Sequence, residues 1–221
     1  MERVPEPELM NDPAQALAYA RADFEEPHAR FVALYREHFA DQPADGWVLD
    51  LGCGPADITR RFALAYPRCR LHGLDGAPEM LQLGRQDLAQ AGLHGRVELL
   101  HGYLPDARLP RPRYQAVISN SLLHHLAAPM DLWRTIRQVA APGAPVFVMD
   151  LMRPDSRPQA EEMVETYAAG EPNILRHDFF HSLLAAYTLA EVQAQLRGAA
   201  LEGFTAEAVS DRHLVVHGRI E

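Results

Sequence analysis

"WVLDLGCGPADITRRF", residues Trp47 to Phe62, is the stretch on which the fold turns. It passes from an apolar run through two glycines and a proline into an amphipathic pattern, which predicts a strand, a tight turn and a helix. Such an entrance cradles cofactors, because glycine lets backbone approach a ligand and a helix N-terminus offers unpaired N–H groups. A dinucleotide fingerprint needs G-x-G-x-x-G so that a pyrophosphate can rest there. Gly52 and Gly54 are present, but the third position is Asp57. With Pro55 read as the first helical residue, Asp57 falls in the first turn, where the macrodipole favours a carboxylate by ~0.3–1 kcal/mol. That carboxylate repels a pyrophosphate. The turn suits a ligand without phosphate and with positive charge of its own.

Outward from this turn the chain alternates strand and helix. Strands are predicted at "WVLDL", "CRLHGLD", "RVELLH", "YQAVIS" and "APVFVMDL", with helices at Pro55 to Ala65, Pro78 to Ala91 and Pro129 to Ala140. Short Val/Leu/Ile-rich strands separated by helices imply a parallel sheet covered on both faces, with its ligand beyond the carboxyl ends of the strands. The second strand ends in Asp75, 25 positions after Asp50. A carboxylate there accepts two hydrogen bonds from ribose hydroxyls, so a nucleoside is implied.

Before the core, Pro13 to Phe24 and Pro27 to Phe39 each open with proline and carry apolar residues at helical spacing, giving two N-terminal helices. After Asp150 two helices broken at Gly170 to Pro172 form an insertion. Thr188 and Glu191 mark a capping box, and "LEGFTAEAVS" and "RHLVVHGRI" alternate like an antiparallel hairpin. The reading is one domain: a helical cap over 1–44, a cofactor-binding core over 45–151, a helical insertion over 152–187, and a helix with hairpin over 188–221.

Composition narrows the partners. A chain of 221 residues, 48% hydrophobic, holds one α/β core. Its net charge is −9 and its 21 basic residues are all arginine, which argues against nucleic acid bound by counterion release. Cys53 and Cys69 do not make a disulfide framework, and reduced thiols in the cytoplasm are expected. No run approaches the ~18 apolar residues of a membrane span, so no membrane partner is expected. The composition leaves oligomeric state open.

In "VLDLGCGPAD", "GLDGAPEML" and "AVISNSLLHHLAAPMDLWRTIRQVAAPGAPVFVMD" the chain resembles the class I S-adenosylmethionine-dependent methyltransferases, and most closely their small-molecule branch. The resemblance implies a Rossmann-like sheet of seven strands, S-adenosyl-L-methionine as cofactor and S-adenosyl-L-homocysteine as product. It places Asp50, Gly52 and Gly54 around the methionine moiety, Asp75 and Gly76 at the ribose, and Asn120 at the methionine end. Gly102 and Tyr103 follow the third strand, and Tyr103 stands where the family often carries an aspartate on the adenine amine. Tyr19 is the cap residue expected to reach the cleft, with Phe179 or Phe180 from the insertion.

His124 and His125 stand where the family places residues facing the transferred methyl group. As adjacent helical residues they are expected to point about 100° apart, so one alone would face the cleft. One imidazole can take the acceptor's proton, a role worth ~10²–10⁴-fold in rate. His177 and His181 share a helix face without a third ligand, and Asp150 lacks the companion acids of a magnesium site, so no metal is expected. The expected reaction moves the methyl group of S-adenosylmethionine to a small-molecule oxygen, nitrogen or sulfur. The alternatives are a nucleic-acid or protein methyltransferase, which needs an arginine-rich rim, and a protein that binds the same cofactor for other chemistry.

Overall fold

Every apolar run read as a strand pairs into one sheet: β1 (Gly46–Leu51), β2 (Cys69–Asp75), β3 (Val97–His101), β4 (Ala116–Asn120), β5 (Pro145–Leu151), β6 (Thr205–Ala208) and β7 (His213–Arg219). The computed structural model describes residues 1–6, 12–41 and 44–221. Strand order is β3-β2-β1-β4-β5-β7-β6, with the first five parallel and β7 running antiparallel to both of its neighbours. This is the expected Rossmann-like sheet, and its order reverses between β1 and β4. A crevice at the carboxyl ends of those two strands is the switch point where ligands bind in such sheets.

Alternation along the strands buries both faces. Val48, Phe147 and Met149 join one core cluster while Leu49, Val146 and Val148 join another, because successive side chains point to opposite sides. On the first face lie α2 (Glu25–His38), α3 (Asp57–Ala65) and α4 (Pro78–Gln90), contributing Phe31, Tyr35, Phe62 and Leu81. On the second lie α5 (Met130–Val139) and α8 (Leu189–Gly198), with Trp133 buried between them and hydrogen-bonded through Nε1 to Gln195 Oε1 at 2.9 Å. The predicted capping box is present at Thr188 and Glu191.

The insertion forms α6 (Arg157–Tyr167) and α7 (Asn173–Ala185), which pack on each other through Met163, Val164, Leu183 and Leu184. The first helix, α1 (Pro13–Arg21), is capped by Asp12 and stops at Arg21 short of the expected Phe24. Helix α2 begins at Glu25, two residues ahead of the expected Pro27, because Asp23 Oδ1 accepts the Glu25 N–H at 3.0 Å. Residues 7–11 and 42–43 of the predicted cap lie outside the described residues. Among the described residues no helix is long and apolar enough to cross a membrane.

Candidate cofactor and acceptor site

The glycine turn is built as the sequence requires, with one correction. Gly52 has φ of 73° and Gly54 of 51°, both in the left-handed region that glycine enters at little cost. A Cβ on Gly52 would lie 2.7 Å from Leu122 Cβ, whereas one on Gly54 would meet nothing within 4 Å and would project into the cleft. Pro55 is not helical. Ala56 also adopts a left-handed φ of 67°, so the turn runs two residues further and α3 opens at Asp57. The N–H groups of Gly52 and Cys53 both donate to Leu74 O, at 2.8 and 3.0 Å, which stitches the turn to the end of β2.

Asp75 completes that stitch. Its Oδ2 accepts the Gly54 N–H and its Oδ1 the Ala77 N–H, each at 2.8 Å. The side chain therefore both braces the turn that leads into α4 and forms a wall of the cleft. Burial raises its pKa above the ordinary carboxylate value despite those backbone donors. Asp50, near the end of β1, is buried with Thr59 Oγ1 donating to its Oδ2 at 2.6 Å. Burial pushes this carboxyl up to about 7, the Thr59 hydroxyl opposing the shift and the nearby Asp75 charge adding to it.

Asp57 is drawn away from the turn into a four-residue network. His28 Nδ1 lies 2.6 Å from its Oδ2, Arg61 Nε donates to the same oxygen at 2.7 Å, and Arg60 donates to Oδ1 at 2.8 Å. Burial alone would raise its pKa, but these partners hold the carboxyl well below the usual range. Arg61 also donates twice to Glu25, so the cluster clamps α2 to α3.

Two cavities adjoin at the carboxyl ends of the strands. The larger, of about 730 Å³, is walled by the glycine turn and takes in Asp50, Asp75, Gly76, Gly102, Tyr103 and Asn120. The smaller, of about 340 Å³, lies under the insertion and is bordered by Phe24, Tyr167, Leu175, Phe179, Arg212 and His213. Tyr19, Asn120, Ser121 and His125 belong to both walls. Every cofactor candidate named from the sequence thus lines the larger cavity, with Tyr103 half-exposed at its margin. Phe179 reaches the smaller cavity and Phe180 does not border it. The Tyr19 hydroxyl is pushed up to about 12 by burial and by the charges of Asp75, Asp57 and Asp150.

The histidine pair departs from expectation. Leu123–His125 form a single 3-10 turn after β4, and the two rings lie with centroids 4.2 Å apart, so they converge where an α-helix would splay them. His124 is buried, with Nδ1 2.5 Å from Asp150 Oδ1. Burial lowers the His124 pKa, but the Asp150 and Glu6 carboxylates outweigh it and the net shift is upward. Glu6 meets both rings, its Oε1 lying 3.6 Å from His124 Nε2 and 3.2 Å from His125 Nδ1. Ser182 of α7 donates to the same oxygen at 3.0 Å. Burial raises the Glu6 pKa, His124 opposing it. Arg3 fixes the segment that carries Glu6 by donating to His124 O and Ala185 O and by lying 4.2 Å over the Tyr187 ring. Sequence reasoning missed Glu6, since nothing local marks an acid 118 positions before the histidine it meets. His177 and His181 do share a helix face, with ring centroids 4.3 Å apart, and join no group of three metal-ligating side chains among the described residues.

Comparison with known proteins agrees with this geometry. Residues 48–143, the core that builds much of the larger cavity, match the family model described as "Methyltransferase domain". The chain is 31% identical over 135 residues to a trans-aconitate 2-methyltransferase of Streptomyces avermitilis, covering 60% of this chain and 47% of that protein. It is also 31% identical over 109 residues to a demethylmenaquinone methyltransferase of Listeria monocytogenes, covering 49% and 46%. The chain spans about half the length of these curated relatives. Among solved structures, a SAM-dependent methyltransferase from Aquifex aeolicus superposes with a TM-score of 0.68 at 18% identity, over 95% of this chain and 99% of that one. The plantazolicin methyltransferase BpumL, solved with a desmethylPZN analog and SAH, gives 0.71 at 13% identity over 94% and 90%. These two likenesses bear on the fold.

Proposed function

We propose that the chain is a class I S-adenosylmethionine-dependent methyltransferase acting on a small molecule, with cofactor in the larger cavity and acceptor in the smaller. The observation that carries this reading is Asp75. It ends β2 in the larger cavity, pins the glycine turn through Gly54, and keeps a second lone pair on each oxygen for two ribose hydroxyls. Asp50, Gly52 and Gly54 hold the methionine moiety, Asp75 and Gly76 the ribose, Gly102 and Tyr103 the adenine end, and Asn120 and Tyr19 the wall shared with the acceptor. In the reaction the acceptor's electron pair forms the new bond to the methyl carbon in line with the breaking C–S bond, whose pair stays on sulfur. The sulfonium leaves as a neutral thioether, so alignment supplies most of the acceleration.

His124 and His125, with Glu6, stand where the acceptor must release its proton. A macromolecular acceptor is disfavoured because two of the three arginines lining the larger cavity are paired, Arg60 with Asp57 and Asp87 and Arg61 with Asp57 and Glu25, which leaves no arginine-rich rim among the described residues. The buried free thiols Cys53 and Cys69 suit a reducing compartment such as the cytoplasm. The test is native mass spectrometry of the purified chain, then a small-molecule acceptor panel read by S-adenosylhomocysteine release. Release dependent on one acceptor class is expected. Cofactor binding with no homocysteine product from any acceptor would place the chain among proteins that use the cofactor for other chemistry.

A further inference from the structure

Asp150 fixes the state of His124. Its carboxylate already accepts the Leu123 N–H on Oδ2 at 2.7 Å and the Leu151 N–H on Oδ1 at 2.8 Å, and His124 Nδ1 completes the set at 2.5 Å. An ionised carboxylate only accepts hydrogen bonds, so Nδ1 is the donor and Nε2 is the ring nitrogen left to face Glu6. Nε2 lies 3.6 Å from Glu6 Oε1. The distance exceeds the ~3.2 Å limit of a good N–H···O bond. A ring nitrogen and a carboxylate oxygen at that separation leave room for a cation bound to both.

We propose that Glu6, His124 and His125 form a binding site for one divalent cation of the zinc class, with its remaining position open to the acceptor cavity. The donor atoms of the three residues all lie within 4.8 Å of one another. With metal–nitrogen and metal–oxygen bonds of ~2.0–2.2 Å, the edge of a tetrahedral site is about 3.3–3.6 Å. The separations of 3.6 and 3.2 Å from Glu6 Oε1 to the two ring nitrogens match that edge. A mixed imidazole and carboxylate set suits zinc and its neighbours over magnesium or calcium, which take oxygen. Two of the three ligands have an outer partner: Asp150 orients His124 through the nitrogen that does not face Glu6, and Ser182 donates to Glu6. Three protein ligands with an open fourth position is the arrangement of reactive rather than purely structural zinc. His124, His125 and Ser182 all border the smaller cavity, so that position opens toward the acceptor.

Cation binding does not depend on the methyltransferase reading. What the cation does there does depend on it: holding the acceptor's heteroatom, it would ease loss of the acceptor's proton and leave the imidazoles as ligands. Such a cation would depart from the expectation of no metal, because its third ligand comes from a segment remote in sequence.

The test uses the full chain stripped with a chelator and titrated with Co²⁺, followed by its visible absorption and by calorimetry. One equivalent giving the intense bands of four- or five-coordinate cobalt is expected. Affinity should fall at least about 100-fold in Glu6→Gln and in His125→Ala, and about 10–100-fold in Asp150→Asn. Glu207→Gln should leave it unchanged, which separates this site from the second His/Glu cluster of His38, Glu207 and His217. Melting temperature and S-adenosylhomocysteine affinity, read on every variant, distinguish a lost ligand from a lost fold and keep the result independent of turnover. Absence of a visible spectrum, binding that survives Glu6→Gln, or binding lost only in Glu207→Gln would overturn the proposal.

Discussion

Asp75 accepts one backbone N–H on each oxygen and faces the larger cavity with what remains. If those remaining lone pairs hold a ribose as proposed, removing the side chain takes away two hydrogen bonds and leaves the hydroxyls out of water without partners. Asp75→Ala should weaken S-adenosylhomocysteine binding by about 1.5–3 kcal/mol, the scale of hydrogen bonds to a charged group, with the chain still folded. Unchanged affinity together with a collapsed melting temperature would make Asp75 a brace of the turn alone. The two glycines of the turn divide in the same way. Gly52→Ala drives a methyl group into Leu122 on top of its left-handed strain and should destabilise the fold strongly, whereas Gly54→Ala carries the strain of its φ alone, so it should destabilise less and cost cofactor affinity as well. Thermal melts paired with calorimetry separate the two variants.

Asp50 gives a pH signature. Its folded value of about 7 lies above the ordinary 3.8, so the folded protein without ligand binds more protons than the unfolded chain between those limits. The stability contributed by this group is fully present below about 4 and is lost as pH rises through about 7. A cofactor ammonium placed beside Asp50, as proposed, would favour the ionised form, so binding at pH 6 should release a proton. S-adenosylmethionine affinity should rise by up to about tenfold per pH unit from 5.5 to 7 and then level off. Calorimetry of Asp50→Asn should show no such slope. A slope retained in that variant would assign the proton to another group.

At the level of elements, the 3-10 turn Leu123–His125 brings two rings together that an α-helix would have separated. Acting as one cluster with Glu6, both His124→Ala and His125→Ala should lower turnover by ~10²-fold or more while S-adenosylhomocysteine affinity holds within about threefold. Steady-state kinetics with the acceptor found by the panel decides this. Retention of full turnover in one variant would show that the rings act separately. The clamp between α2 and α3 yields a different signal. Asp57→Asn removes the charge that His28, Arg60 and Arg61 share, so the melting temperature should fall at pH 7. Because the folded value of Asp57 is depressed, its contribution is present above about 4 and is lost as pH falls through the folded value. The gap between variant and parent melts should therefore close in strong acid, and a gap independent of pH would mean that packing, not charge, was lost.

What could be read from the chain follows from how local each signal is. The strand, turn and helix around Gly52, the acid ending β2 and the antiparallel terminal pair are each written in one short consecutive run, and period and turn chemistry suffice for them. Helix boundaries shifted where a side chain or a left-handed residue took over, as Asp23 did at α2 and Ala56 at α3. The Glu6 cluster was illegible because its members come from the N-terminal segment, the turn after β4 and the end of β5, and only the fold brings them together.

For the molecule as a whole, the switch point between β1 and β4 sets one cavity on the cofactor side and another beneath the insertion, with Tyr19, Asn120, Ser121 and His125 common to both. Transfer of a methyl group between two ligands requires that arrangement, since the sulfonium carbon must reach the acceptor without crossing solvent. The account stands on the nature of the first ligand. Its most direct test is calorimetric titration of the full chain with S-adenosylhomocysteine and, separately, with NADH, repeated on Asp75→Ala. Saturable binding of S-adenosylhomocysteine at one site, weakened about 10- to 150-fold by the substitution, with no measurable heat from NADH, is the predicted result. NADH binding more tightly than S-adenosylhomocysteine, or S-adenosylhomocysteine binding indifferent to Asp75, would contradict it.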